Sequence, residues 1–504
     1  MKYNLGHIYN ELIAIHASEV AFIYEEDQFT FAELDQRVNH NIVLLSTCKI
    51  SRGDVLCIAN TKTIEIYSMM LACLKLGVAY VNLDIDNPEE RLQRIINRCE
   101  PKALYEDSSS AQFKPFSEKN NLLHLNVDSV VEEKTLSQDS FDAVDGNTIA
   151  YIMFTSGSTG DPKGVAITHQ NLIYFTQWVK ERYNITISDN FANISPMYFD
   201  NSVFDFFGGL FNGASLSPIK KELLTNPLHL VKYIQEKECT IWFSVPSMLV
   251  YLLNMKVLRQ GTLPSIRVFT FGGEGFPKPN LKKLYELYSD QARIINVYGP
   301  TEGTCICSSY DIKESDFENM EELASLGTIN PNFSYLIENP NKEGIGELVI
   351  AGPSIGGGYY NFPEKTNQVF GVFDSGKLYM NRYYKTGDLV VEREGLLYFK
   401  GRKDNQIKHM GYRIELEEIE NAISSFPRIQ ENAVIYHRVN ISYGKIVAFV
   451  SSKETIEIAA LKEHLKDKIP PYMIPNKFEI QDVDLPKNAN GKVDRKTLKE
   501  RYLA

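Results

Sequence analysis

Residues 151–169, YIMFTSGSTGDPKGVAITH, run from an apolar stretch into a loop rich in glycine and hydroxyl side chains, with one lysine. Glycines let successive backbone N–H groups converge into an anion-binding concavity, and Ser, Thr and Lys add charge-assisted bonds to phosphate oxygens. The chemistry that fits is a phosphate cradle made of Thr155, Ser156, Gly157, Ser158, Thr159, Gly160 and Lys163. It is not a P-loop, because Gly164 follows Lys163 where a Ser or Thr is required. A solvated connection is the competing reading of such a loop taken alone.

Three more segments carry chemical potential. In INVYGPTEGT (295–304) a strand ends at Asn296 and Tyr298, which can read and stack on a purine, and a Gly-Pro turn presents Thr301 and Glu302. A carboxylate beside phosphates can hold Mg²⁺. In YYKTGDLV, Asp388 follows a glycine and can accept from paired ribose hydroxyls; in LPKNANGKVDRKTLK, Lys492 follows a turn. Singly, these read as a surface carboxylate, a turn aspartate and an exposed lysine.

The elements that must position them alternate between helical periodicity and short β-branched runs through about residue 400: DVLCIAN, IAYIMFT, NFANISP, CTIWFSV, SIRVFTF and RIINVYG. Such alternation predicts layered α/β architecture with largely parallel sheets, whose strand ends bind ligands. After Asp388 the strands shorten, with a hairpin at Glu394-Gly395, a polar linker at 402–405, and a final βαβ-like unit of about a hundred residues. The segment SSSAQFKPFSEKNN (108–121) reads as a mobile surface loop.

With 504 residues the chain exceeds one ordinary core. Its net charge of -11 argues against a nucleic-acid partner. The seven cysteines match no zinc spacing and read as reduced thiols of a cytoplasmic protein. Residues 1–19 lack the apolar core of a secretory signal, and the most apolar window, from Ile66, contains Lys75 and Gly77, so no membrane span is expected.

Taken together, FTFAELDQRVN, LKLGVAYVNLD, FTSGSTGDPKGV, GELVIAGPSIGGGYYN, YKTGDL, GRKDNQIKHMGYRIELEEIE and NGKVDR resemble the adenylate-forming (AMP-binding) superfamily over nearly the whole chain. That superfamily includes acyl-CoA synthetases, luciferases and the amino-acid adenylation domains of nonribosomal peptide synthetases. The resemblance implies the α/β acyl-adenylate-synthetase fold, with a large domain of layered sheets and helices at 1–402 and a small mobile α+β domain at 403–504. It implies ATP and Mg²⁺ as cofactors: a carboxylate attacks the α-phosphate of ATP, pyrophosphate leaves, and the acyl group passes to a thiol.

Carried over residue by residue, the resemblance gives ATP the loop 155–163, the backbone of Gly272, Gly273 and Glu274, and Asn296, Tyr298, Gly299, Thr301, Asp388 and Arg402. Glu302 holds Mg²⁺, and Lys492, Glu302 and Thr155 are the catalytic residues. Asp404 is the hinge about which the small domain turns, and Gly411 lets a pantetheine arm approach.

Asp200, in SPMYFDNSVFDFF, matches the aspartate that pairs with a substrate α-ammonium in amino-acid adenylating members. The other pocket positions carried over are Asn201, Phe204, Ser244, Phe269, Phe271, Val297, Cys305 and Ile306, with Lys492 on the carboxylate. Three phenylalanines predict a small or medium uncharged amino acid. The chain also resembles stand-alone D-alanine carrier-protein ligases, although Gly272 stands where those carry cysteine. The expected partner is a carrier protein bearing phosphopantetheine, loaded in trans by a stand-alone ligase of secondary metabolite biosynthesis. The alternatives are an acid–CoA ligase for an aryl or short-chain acid and a catalytically silent nucleotide-binding scaffold.

Overall fold

The structure, a computed structural model, describes residues 3–108, 112–127, 129, 143–157, 160–374, 380–439, 444–488 and 493–503. Two large sheets organise the first part of the chain. One has nine strands; at its centre Arg293–Tyr298, Val268–Gly272, Ile241–Ser244, Asn190–Asn193, Ser215–Pro218 and Val20–Tyr24 run parallel in that spatial order. The other has seven, with Ile149–Thr155 parallel to Ala79–Leu83 and antiparallel to Lys163–Thr168. All six apolar runs singled out in the sequence form strands.

Both sheets are covered on each face, which is why their strands read as unbroken apolar runs. The main core lies between them, joining Phe22, Phe191 and Phe243 of one sheet to Leu56, Tyr80 and Tyr151 of the other. Further clusters cover the outer faces, one built around Trp242 and Phe269, another around Val81 and Leu104. The helix Ile64–Leu76 is buried along its whole length and ends at Gly77 in the left-handed region (φ 69°), as its uniformly apolar sequence requires.

A third, antiparallel sheet carries the long strand Met380–Arg393, which pairs with Leu396–Arg402 across the turn at Glu394 and Gly395. Beyond it, the hairpin Gln406–His409/Tyr412–Glu415 leads into a three-stranded sheet, Glu431–Arg438, Gly444–Ser451 and Lys477–Gln481, which has its own core. This is the large and small domain pair that the sequence predicts.

One expectation fails. Within 108–121, residues Phe113–Lys119 form a helix, not a mobile loop, because Phe113 and Phe116 are buried against the outer face of the seven-stranded sheet. Tertiary burial overrides a polar composition there. Residues 109–111 lie outside the described residues.

Candidate active site

The strands that carry the sequence motifs end at one place, where the two domains meet. A narrow cavity is lined by Thr155 and Ser156 of the glycine-rich loop, Asp200 and Asn201, Val297, Gly299, Pro300 and Thr301, and Cys305 and Ile306. From the long strand come Thr386 and Asp388, and from the small domain Gln406, Lys408, Gly411 and Arg413. The cavity shares Gly273, Val297, Arg402, Gln406 and Lys408 with a larger cleft of about 750 Å³ that is also walled by Phe271, Glu274, Asn296 and Tyr298.

The turn after the strand Arg293–Tyr298 is tightly built. Gly299 admits no side chain, since a Cβ there would lie 2.1 Å from the carbonyl oxygen of Cys305. Thr304 and Cys305 both take the left-handed conformation (φ 55° and 71°), rare for such residues and sustained here by a hydrogen bond from Thr304 Oγ1 to the Ser354 carbonyl at 2.7 Å. This bend holds Glu302 fully buried and brings Cys305 and Ile306 to the cavity wall. Burial pushes the Cys305 thiol well up, so it lines the cavity as a small apolar group rather than a nucleophile.

On the nucleotide side, Tyr298 donates its hydroxyl to Asp388 Oδ2 at 2.6 Å and Arg402 Nη1 donates to Asp388 Oδ1 at 2.6 Å. Arg402 also donates twice to Asp404, both at 2.6 Å. The expected ribose and hinge residues thus form one continuous chain. Asn296 spends its amide donor on the Ser325 carbonyl at 2.7 Å. Glu274 accepts from Ser247 N at 2.7 Å and from Gly411 N at 3.2 Å, so its side chain clasps the small domain as well.

Around the glycine-rich loop, small-domain residues occupy the polar groups. Lys163 Nζ lies 3.1 Å from Glu415 Oε1. Ser156 Oγ donates to the Arg413 carbonyl at 2.8 Å and accepts from Glu415 N at 3.2 Å. Arg413 Nη1 lies 2.8 Å from Glu302 Oε2, while Tyr359 donates to Glu302 Oε1 at 2.7 Å. Burial would raise the Glu302 carboxyl, but Arg413 and Lys163 outweigh it and hold it down to about 2. Arg91 is buried in an ion pair with Glu418. An aromatic contact completes the junction: Tyr412 stacks on Tyr472 (3.7 Å, 15°) and meets Phe199 of the large domain edge-on (5.1 Å, 77°).

Asp200 Oδ2 accepts from Thr301 Oγ1 at 2.6 Å and is only partly buried, because it faces the cavity. It sits at the start of a short helix that continues as a π-helical turn, Phe204–Leu210, a form often found beside functional sites. The slot beside it is lined by Met153, Phe243, Val297, Cys305 and Ile306.

Four expected pocket residues are corrected. Phe269 and Phe271 pack with Trp242 and Phe276 in the outer cluster, Phe269 5.8 Å from Trp242 and Phe271 4.8 Å from Phe276, centroid to centroid; Phe271 walls the larger cleft but not the narrow cavity. Ser244 turns the same way, accepting from Trp242 Nε1 at 2.8 Å, and Phe243 takes the cavity position. Side chains alternate along a strand, so Phe243 and Ser244, neighbours in sequence, face opposite sides of the sheet. Phe204 lies behind Phe243 in the core (5.2 Å, 82°) and does not line the cavity.

Asn201, Val297, Cys305 and Ile306 are where they were expected. Ser158, Thr159 and Lys492 lie outside the described residues. Arg91 and Phe243 carried no motif of their own, whereas Tyr359 lies in GELVIAGPSIGGGYYN and Lys408 and Arg413 flank Gly411 in KHMGYR.

Comparison with known proteins agrees with this geometry. Residues 12–360 match the family model described as AMP-binding enzyme, and residues 418–492 match the AMP-binding enzyme C-terminal domain. The chain belongs to the AMP-binding enzyme family. Among relatives in this family, a D-alanine–D-alanyl carrier protein ligase of Bacillus anthracis is 32% identical over 494 residues, covering 95% of this chain and 96% of the relative. The same ligase of Bacillus cereus (strain G9842) is 32% identical over 496 residues, again covering 95% and 96%.

Solved AMP-binding folds superpose along the whole length. An adenylation domain of Vibrio cholerae in complex with glycyl-adenosine-5'-phosphate gives a TM-score of 0.83 at 22% identity, covering 100% of this chain and 98% of that one. An o-succinylbenzoate CoA synthetase of Bacillus subtilis gives 0.85 at 24%, covering 99% of each. At those identities the likeness shows the fold. Among the described residues no helix is long and apolar enough to cross a membrane.

Proposed function

We propose that this AMP-binding ligase activates a small, uncharged amino acid, such as glycine or alanine, and transfers it to the phosphopantetheine thiol of a carrier protein. The observation that carries this reading is Asp200, whose carboxylate opens onto the cavity with a single hydroxyl partner beside an apolar slot. A carboxylate in such a place calls for a cation, and a substrate α-ammonium supplies one. The carrier-protein ligases among its relatives support the same reading.

In the first half-reaction the amino-acid carboxylate oxygen bonds to the α-phosphorus of ATP and the bond to the β-phosphate oxygen breaks. Asp388 and Arg402 hold the ribose, Tyr298 and Asn296 flank the base, and Thr155, Ser156 and Lys163 hold the departing pyrophosphate. Lys492 offsets charge on the reacting carboxylate and phosphoryl groups. A single carboxylate suits Mg²⁺ that arrives on phosphates and keeps its waters. Glu302 would hold that ion once Arg413 withdraws, and the ion would neutralise phosphate charge. In the second half-reaction a thiol attacks the acyl carbonyl, AMP leaves, and the thiol proton passes to solvent. Lys408 lines the same cavity, where burial lowers its ammonium's pKa, with Asp388 opposing.

The seven cysteines are free, which fits a reducing cytoplasm. The test is amino-acid-dependent exchange of pyrophosphate into ATP, with glycine, both alanines and aryl acids as substrates. Exchange with one small amino acid, lost in Asp200→Ala, is expected; exchange only with acids lacking an amino group overturns the reading.

A further inference from the structure

One stretch of the small domain answers three charges around the glycine-rich loop with their opposites. Glu415 faces Lys163 at 3.1 Å, Glu418 faces Arg91, and Arg413 faces Glu302 at 2.8 Å. Two carboxylates meeting two cations, and one cation meeting a carboxylate, reproduce the charge pattern that a metal-bound pyrophosphate would present to the same three groups. Building on the function proposed above, we infer that Glu415 and Glu418 are an internal counterpart of pyrophosphate, and that Arg91 binds pyrophosphate whenever Glu418 is withdrawn.

Arg91 lines the same cavity as Thr155 and Ser156. Its helix, Glu89–Cys99, is fixed to the loop one turn later, where Arg94 Nη1 donates to the Gly160 carbonyl at 2.9 Å. Arg94 Nη2 reaches the Lys468 carbonyl of the small domain at 2.8 Å, so this helix contacts both parts of the exchange. Glu418 is fully buried, yet its Oε2 has no hydrogen-bond partner among the described residues. A carboxylate satisfied on one oxygen holds its cation less firmly than a full set of phosphate oxygens would. Buried ion pairs lie near break-even against desolvation, so exchanging one anion for another tips the balance readily. With Glu415 and Glu418 seated on these cations, the observed orientation and bound pyrophosphate are therefore mutually exclusive.

Calorimetric titration of inorganic pyrophosphate into the full chain, in magnesium-containing buffer, tests this, with AMP titrated in parallel. The Glu415→Gln/Glu418→Gln variant should bind pyrophosphate at least tenfold more tightly than wild type, because its competitor is gone. Arg91→Gln should bind at least tenfold more weakly than wild type, and Arg91→Lys should recover most of the loss. Arg91→Gln/Glu418→Gln, which leaves no orphaned charge, should still bind more weakly than Glu418→Gln alone. Equal pyrophosphate affinities across these variants, with AMP binding intact, would overturn the exchange while leaving the proposed function standing. Failure of wild type to bind either AMP or pyrophosphate would overturn both.

Discussion

Tyr298 and Asp388 lie on different sheets and meet through a hydrogen bond of 2.6 Å, so the walls proposed for base and ribose are one unit. Asp388→Asn should weaken AMP binding by tenfold or more, since a carboxylate accepting from two ribose hydroxyls becomes an amide with one acceptor. Tyr298→Phe should have a smaller effect on affinity and lower the unfolding free energy by about 1–3 kcal/mol, because it leaves a buried carboxylate oxygen unpaired. Calorimetry with AMP and denaturant titration measure the two effects separately.

Gly411 has φ 83°, and a Cβ there would lie 2.7 Å from Val245 Cγ1. Gly411→Ala should therefore disfavour the observed orientation and slow thiol transfer at least tenfold while leaving pyrophosphate exchange close to wild type. Val245→Ala should recover part of the loss by removing the contact, though not the backbone strain. Equal loss of both half-reactions would show that Gly411 acts on folding instead.

Lys492→Ala should give the opposite pattern. Amino-acid-dependent pyrophosphate exchange should fall by at least a hundredfold, with transfer from supplied aminoacyl-adenylate largely kept. Loss of both steps to the same degree would refute the role assigned to this lysine.

Burial raises the Asp200 carboxyl; Glu302 adds to the shift, while Thr301, Arg413 and Lys408 oppose it. Tyr151 and Cys305 also face it, both held neutral. An unfolded aspartate titrates near about 3.9. As pH falls, the folded chain therefore takes up this proton first, so acid stabilises the free enzyme through Asp200. A substrate ammonium needs the ionised form, and amino-acid affinity should drop as pH falls through the raised pKa. Asp200→Asn should bind the amino acid at least tenfold more weakly, lose that pH slope, and melt no lower than wild type at neutral pH. An unchanged slope in the variant would assign it to another group.

Phe243 lines the side-chain slot, whereas Phe269 faces the outer core. Phe243→Ala should admit larger side chains and lower the preference for glycine or alanine. Phe269→Leu should leave the ranking of amino acids unchanged and act only on stability. Pyrophosphate exchange across a panel of amino acids distinguishes them, and a changed ranking in Phe269→Leu would contradict the assignment of faces.

The phosphate loop, the turn holding Glu302 and the strand holding Asp388 were legible in the sequence because each is a local run whose residue types state its conformation. The side of a strand is not local in that sense. The resemblance puts Phe269, Phe271 and Ser244 on the amino-acid pocket, and only the packing shows Phe269 and Ser244 against Trp242 instead. Arg91 and Glu418 are 327 residues apart, and nothing in either segment names the other. The helix at Phe113–Lys119 was hidden by its polar surroundings, since two buried phenylalanines decide it.

The ring contact of Phe199 with Tyr412, itself stacked on Tyr472, gives the domain junction a calorimetric character. Turning the small domain away would wet those rings, and newly exposed apolar surface raises heat capacity by about 0.45 cal/K/mol per Å². The equilibrium between orientations therefore curves with temperature instead of following a straight van't Hoff line. On the proposed function, warming and cooling would change how long the enzyme dwells in each half of its cycle, so its balance of activation and delivery would belong to a thermal range as much as to a substrate.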